Sequence, residues 1–346
     1  MLRLPTVLDG DFISQTAANM GKTSIDDLPS ILATVTNEST MFDTHLAFLR
    51  AGANMIRTNT YRTSVYNLNH FLGINVNNSA SVITKAAMAA RKAVLTHHSE
   101  TSNDPTNQEV FHKTRPWIVG SCGPYGASLG DGTEYTGAYA KHLSLEDLID
   151  WHEPRVRALL DAGVDMLSLG SVPCAKEAAA FVELMRNFPS TRVWISFYCY
   201  NDRILADGSN FRKIVKHCYN RLGDQMIAIG VSCVESSLVK PLFNIINREI
   251  FPRKIPLLVC PDKTTYRFKE DFTMETTGTT RSFFELPISD WLNDGAGIIG
   301  GCCGTLTDDI KYIRSEVDKY QDNVTIKQCP VNKNCSFNPS VDKAKL

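Results

Sequence analysis

Four times along the chain a helix-like pattern stops at small residues and gives way to a short apolar run. Ala51-Gly52-Ala53-Asn54 precedes Met55-Ile56-Arg57-Thr58, and Ala162-Gly163-Val164-Asp165 precedes Met166-Leu167-Ser168-Leu169. Leu222-Gly223-Asp224 leads into Met226-Ile227-Ala228-Ile229-Gly230-Val231, and Asp294-Gly295-Ala296-Gly297 into Ile298-Ile299. Glycine just past a helix end is the expected cap, and an apolar run behind it suits a strand buried in a parallel sheet. Eight such runs can be read, near Thr6–Leu8, Met55–Thr58, Trp117–Gly120, Met166–Leu169, Val193–Phe197, Ile227–Val231, Leu257–Val259 and Ile298–Gly300. Helical patterns separate most of them. Leu46 and Leu49 keep helical spacing, and Leu145, Leu148, Ile149 and Trp151 fill one face behind Ser144, which with Asp147 resembles a capping box. Eight strands alternating with helices over 346 residues predict an α/β chain folded as one (β/α)8 TIM-type barrel across residues 1–327. The alternative is an open doubly wound sheet, but no GxGxxG follows the first run to support a nucleotide-binding version.

Two segments fall outside this rhythm. Residues 97–115 are rich in Ser, Thr, Asn and Pro and read as a surface insertion; residues 328–346 lack periodicity and read as a loose C-terminal tail. The tail ends in Ala344-Lys345-Leu346, a variant of a peroxisomal address, so a peroxisome stands as the alternative to the cytoplasm expected here. The N-terminus turns polar too soon for a secretory signal, and no run approaches the roughly 18 apolar residues that span a bilayer. A net charge of −1 offers no electrostatic footing for nucleic acid or a membrane surface. Little chain remains after the eighth unit to tie protomers together, so a monomer is expected.

Ten cysteines change the picture. They are scattered and contain no CxxC, which excludes a zinc ribbon or a thioredoxin-type motif and leaves most of them as small reduced core residues. Three stand where a barrel keeps its chemistry, at the C-terminal ends of strands: Cys233 after the sixth run, and Cys302 and Cys303 after the eighth. On a regular strand adjacent side chains point to opposite faces, so Cys302 and Cys303 need the glycines around them to aim at one point. Three thiolates converging at the rim would make a tetrahedral zinc site with one position open, the form of a catalytic ion. The plainer alternative keeps all three as buried thiols, and a redox role for the adjacent pair is disfavoured by the strain of such disulfides.

The ordered motifs resemble those of the homocysteine S-methyltransferases. Leu8-Asp9-Gly10-Asp11 nearly meets the opening motif of that family, and Ala51-Gly52-Ala53 with Thr58-Asn59-Thr60-Tyr61 matches its second strand. Gly123-Pro124-Tyr125-Gly126-Ala127 and Asp131-Gly132-Thr133-Glu134-Tyr135-Thr136-Gly137 match the long loop after the third. Ser196-Phe197, Asp207-Gly208, Gly230-Val231-Ser232-Cys233 and Gly300-Gly301-Cys302-Cys303 recur in place, so the match runs from about Val7 to Ile313. The resemblance implies a barrel enzyme with zinc on Cys233, Cys302 and Cys303. It also implies methyl transfer from a sulfonium-type donor, S-methylmethionine or S-adenosylmethionine, to the thiol of homocysteine, giving methionine. Asp9, Gly10, Asp11, Thr58, Glu134, Tyr135 and Gly170 are the expected substrate-side residues, with Glu134 and Tyr135 at the donor or simply in a turn set by Asp131 and Gly132.

Two positions depart from the pattern. Asp11 replaces a second glycine, and Gly170-Ser171-Val172-Pro173 lacks the glutamate that the family places at the end of the fourth strand for the acceptor's amino group. An altered acceptor is therefore expected as one alternative. A barrel that keeps zinc but only binds a metabolite or protein is another.

Overall fold

Each of the eight apolar runs forms a strand in the computed structural model, which describes residues 5–22, 24–25, 27–104, 106–248, 255–268, 274–280 and 285–328. The barrel strands are β1 (Thr6–Val7), β2 (Met55–Arg57), β3 (Trp117–Cys122), β4 (Met166–Val172), β5 (Val193–Phe197), β6 (Met226–Val234), β7 (Leu257–Pro261) and β8 (Ala296–Ile299). They pair in parallel in the order β1-β8-β7-β6-β5-β4-β3-β2. A parallel bridge between Leu8 and Met55 joins the two ends of that order. Two backbone bonds flank it, Asn54 N–H to the Val7 carbonyl at 2.7 Å and Asp9 N–H to the Met55 carbonyl at 3.1 Å. The sheet is thus a ring, and the open doubly wound alternative is excluded.

Alternation along the strands divides the core in two. Leu8, Met55, Val119, Met166, Trp194, Ala228, Leu258 and Ile298, one from each strand or its end, form an inner cluster with Cys260. Their strand neighbours Val7, Ile56, Leu167, Ile195, Ile229 and Ile299 belong to the larger cluster packed under the helices. The inner layer is filled by pairing unequal volumes: Trp194, 1% exposed, stands in register opposite Ala228.

Helices Glu38–Arg50, Val76–Thr101, Leu145–Asp161, Ala175–Met185, Phe211–Leu222, Ser236–Arg248 and Thr307–Gln328 supply most of the outer shell. The capping box at the start of Leu145–Asp161 forms as its sequence predicts, with Ser144 Oγ accepting from Asp147 N–H at 3.0 Å and the Asp147 carboxylate accepting from Ser144 N–H at 2.8 Å. Residues 97–115, polar enough to read as an insertion, are largely helical. Helix Val76–Thr101 runs into them and helix Gln108–Thr114, which buries no residue, fills much of the remainder. An exposed helix needs little apolar periodicity, which explains the polar composition. Between β7 and helix Ile288–Asn293, strands Thr264–Phe268 and Met274–Thr280 form an antiparallel hairpin. Most of the expected tail, residues 329–346 with Ala344, Lys345 and Leu346, lies outside the described residues. Among the described residues no helix is long and apolar enough to cross a membrane.

Replacing Trp194 with Ala opens the inner layer where Ala228 already contributes little volume. The expected loss is about 3–5 kcal/mol, measured as a lower denaturant midpoint with an unchanged m-value.

Candidate metal centre and substrate site

The three rim cysteines meet at the mouth of the barrel. β6 pairs Ser232 with Cys260 and then Val234 with Pro261, so Cys233 is an extra residue in the ladder, a β-bulge. Its φ of 56° lies in the left-handed region, which non-glycine residues rarely occupy. Among the described residues one other non-glycine position shares this conformation: Ser171 of β4, also with a φ of 56° and also inside a register shift, between Leu169 and Val172. Bulges re-aim side chains at active sites, and here they turn Cys233 and Ser171 toward each other, Sγ to Oγ 3.6 Å.

The sulfurs of Cys233, Cys302 and Cys303 all lie within 4.8 Å of one another, and among the described residues no second group of three such ligands converges. Cys233 and Cys302 are joined as a disulfide with Cα atoms 5.5 Å apart, and Cys303 Sγ stands 3.9 Å from Cys302 Sγ. The adjacent pair is therefore not the one cross-linked. Sulfurs at about 2.3 Å from a tetrahedral zinc lie about 3.8 Å from one another, so the Cys302–Cys303 spacing and the all-sulfur donor set fit that ion once the disulfide is reduced. Burial, with the negative charges of Asp262 and Asp11, pushes an uncoordinated Cys303 thiol well above its usual range.

The loop that carries two of these sulfurs is clamped from three sides. Glycines 300 and 301 are required by close approach, with ordinary φ values: a Cβ on Gly301 would sit 2.1 Å from the Thr305 side chain, and one on Gly300 2.7 Å from Leu8. Buried Asp9 pairs with Arg57, accepting from its Nε at 2.7 Å and from its backbone N–H at 2.7 Å. The same guanidinium donates to the carbonyls of Gly10 at 2.9 Å and Gly301 at 3.0 Å. Asp11 caps helix Phe12–Asn19, accepting from Ile13 N–H at 3.1 Å and Ser14 Oγ at 2.5 Å, while its second oxygen also accepts from Gly304 N–H at 3.0 Å. On the far side Lys263 N–H donates to the Cys303 carbonyl at 3.3 Å, and its ammonium pairs with Asp309 at 2.8 Å.

The expected substrate residues separate into two groups. Asp9, Gly10 and Asp11 have their polar groups engaged by Arg57, the helix cap and the cysteine loop. Thr58 is likewise held inside the protein, its hydroxyl 2.7 Å from Thr60 Oγ1 and accepting from Ser121 N–H at 3.0 Å. Glu134 differs. It is 5% exposed, one oxygen pairs with Arg62 at 2.9 Å, and the other has no hydrogen-bond partner. Tyr135, next along, packs edge-on against Tyr198 with ring centroids 5.3 Å apart. An ionised Cys303, then burial, pushes the Tyr135 phenol well up; burial does the same for Tyr61 and Tyr198, so all three stay neutral. The nearest atoms to a Cβ on Gly170 would be Ser168 Oγ at 3.3 Å and Ser196 Oγ and Tyr61 at 3.8 Å. Ser171, Ser196 and Ser232 join their hydroxyls there, at 2.8 and 2.9 Å, so that side of the mouth is neutral and lined by hydroxyls.

Arg57, Arg62, Tyr61 and Tyr198 were not read as site residues from the sequence. An arginine interrupting the apolar run Met55-Ile56 beside a strand-end aspartate was the available signal for Arg57.

A closed eight-stranded β/α ring with a sulfur-lined site at its C-terminal mouth defines a barrel enzyme. Residues 6–317 match the homocysteine S-methyltransferase family, so the chain belongs to that family and is a methyltransferase. It is 34% identical over 325 residues to a betaine-homocysteine S-methyltransferase of Drosophila melanogaster, covering 92% of this chain and 94% of the relative. Its fold is similar to that of the homocysteine methyltransferase MmuM from Escherichia coli. The metallated form gives a TM-score of 0.75 at 27% identity, covering 91% of this chain and 96% of the other. The oxidized form also gives 0.75, at 28% identity with 90% and 95% covered.

Replacing Asp11 with Ala removes the helix cap and the bond to Gly304 together. The expected loss is about 1–2 kcal/mol in a urea titration, larger than for Ser14→Ala, which leaves the Gly304 bond in place.

Proposed function

We propose that the chain transfers a methyl group from a sulfonium donor, S-methylmethionine or S-adenosylmethionine, to homocysteine, giving methionine. The observation that carries this reading is the convergence of three thiols from two strand ends on one point at the barrel mouth. Reduced, Cys233, Cys302 and Cys303 would hold zinc and leave one position for the acceptor's sulfur. A bound zinc ion supplies the charge that keeps a thiol deprotonated at neutral pH, where a free thiol with a pKa of about 8.5 is largely protonated. Three cysteine thiolates against a divalent ion would leave the site one unit negative before the acceptor binds.

In the transfer, the acceptor sulfur's lone pair forms the new bond to the methyl carbon. The donor's carbon–sulfur bond breaks, and its electron pair stays on the donor sulfur as a neutral thioether. The chain's part is to align these atoms. Clamping by Arg57, Asp11 and Lys263 fixes the cysteine loop, and reactants held in line gain much of their rate from that alone. The neutral rings of Tyr61, Tyr135 and Tyr198, with the unpartnered Glu134 oxygen, suit a cationic donor through ring faces and charge. The hydroxyl-lined side near Gly170 suits an acceptor held there without a carboxylate, which supports a weaker grip on the amino group of homocysteine than the family pattern implies.

Two measurements test this. Protein purified under reducing conditions should carry close to one zinc per chain, and Cys233→Ser should weaken that binding by more than about 100-fold, beyond what an outer partner contributes. Supplied with homocysteine, the loaded enzyme should make methionine from S-methylmethionine or S-adenosylmethionine; zinc-loaded protein that uses neither donor would refute the proposal. Glu134→Gln should raise the KM for the donor by about tenfold while zinc content stays constant, the loss expected for one charge-assisted contact.

A further inference from the structure

Glu177, His152 and Arg155 form a second buried polar cluster whose hydrogen bonds include none of the three sulfurs. Glu177, in the first turn of helix Ala175–Met185, is fully buried. One of its oxygens accepts from Tyr125 N–H at 2.6 Å and faces His152 Nε2 at 2.9 Å; the other accepts from the Tyr139 hydroxyl. His152, also fully buried, places its Nδ1 against the Arg155 guanidinium. Arginine has only donors, so Nδ1 must accept and Nε2 must carry the proton toward Glu177. Burial, followed by the neighbouring Arg155 charge, pushes the His152 pKa well down, in keeping with that neutral form. Arg155, 1% exposed and stacked 4.6 Å from the Trp151 ring, donates onward to the Gly123 carbonyl and, at 3.5 Å, to the Tyr61 carbonyl.

The relay is therefore Glu177, neutral His152, then Arg155; burial pushes the Glu177 pKa up to about 7, and the three donors facing its oxygens favour the carboxylate form. Its outlets are all backbone or loop atoms of the rim. They lie on the segments that follow β2 and β3, and Glu177 itself follows β4. Gly123 N–H also donates to the Tyr61 carbonyl at 3.2 Å, so the two segments are tied to each other as well as to the relay. Between Tyr125 and Tyr139, the two points gripped by Glu177, the chain carries Glu134 and Tyr135.

We propose that Glu177 is a positioning residue for the methyl donor: acting with His152 and Arg155, it fixes the segment 123–139 against the Tyr61 strand end and so sets Glu134 and Tyr135 in place. The proposal rests on the donor reading above for its kinetic consequence, but its structural consequence stands apart from that reading. A carboxylate that grips a loop at both ends, from a different βα unit, removes freedom the loop would otherwise lose on binding the donor.

Glu177→Gln keeps the size and alters the donors and acceptors. It should raise the donor KM about tenfold, with the homocysteine KM and zinc content unchanged, the size expected when a hydrogen bond to a charged group is lost. Amide exchange should quicken about tenfold across Tyr125–Tyr139 and stay constant at Ser232–Val234 and Gly300–Thr305. Tyr139→Phe removes one bond without disturbing the buried charge and should shift the same quantities less, which covers the case in which Glu177→Gln fails to fold. Unchanged exchange across Tyr125–Tyr139 in both variants would overturn the proposal, as would donor and acceptor KM values rising together. Faster exchange in a chain whose unaltered form uses no sulfonium donor would retain the positioning role and count against the donor reading alone.

Discussion

Cys233 is kept in a left-handed backbone conformation by the ladder on either side of it, where β6 leaves β7 for one residue and rejoins at Val234 and Pro261. Such a conformation costs a non-glycine residue on the order of 1–3 kcal/mol, and it persists only where the surroundings over-determine it. The pairing that surrounds it is the central sheet itself. The aim of this sulfur is therefore a property of the main chain, with the side-chain rotamer as a secondary adjustment. A ladder without the extra residue would shift the alternation beyond Ser232 by one step and exchange the faces of everything that follows. The Cys302–Cys303 loop, the serine hydroxyls and the tyrosine wall are all arranged about the point this bulge selects.

The barrel was legible because its signals are periodic and repeated. All eight apolar runs became strands, and the Ser144–Asp147 cap formed as spelled, since each depends on residues close in sequence. The bulges left no such trace: Ser232-Cys233-Val234 and Gly170-Ser171-Val172 read as residues past the ends of their runs, whereas the strands continue through them to Val234 and Val172. The glycines at 300 and 301 were read for their backbone freedom, whereas what they provide is room for Thr305 and Leu8. Asp9 and Asp11 were visible as strand-end carboxylates. Their partners, Arg57 and the Gly304 amide, are distant in the chain, and pairing of that kind has no pattern to read.

Two styles of support coexist at the mouth. The sulfur loop is gripped directly, by hydrogen bonds between its backbone and Arg57, Asp11 and Lys263. The segment carrying Tyr135 and the strand end carrying Tyr61 are held through a chain of buried side chains on two helices. Direct clamping suits ligands whose mutual distances must hold within a fraction of an ångström. Support through a relay holds a longer segment in place from a few buried points, and the solvent-shielded charges within it cannot be removed singly without leaving a partner uncompensated.

The shortness of β1 bears on how the molecule is made. Thr6 and Val7 form the stave between β8 and β2, and Thr6 pairs with Ile298 near the other end of the chain. A ribosome delivers the first stave long before the neighbour it pairs with, so the ring stays unsealed until β8 has been made. Every wall of the reaction chamber can be in place by then except the one that seats the second and third sulfurs. A nascent chain is thus withheld from its chemistry until the segment with Cys302 and Cys303 arrives.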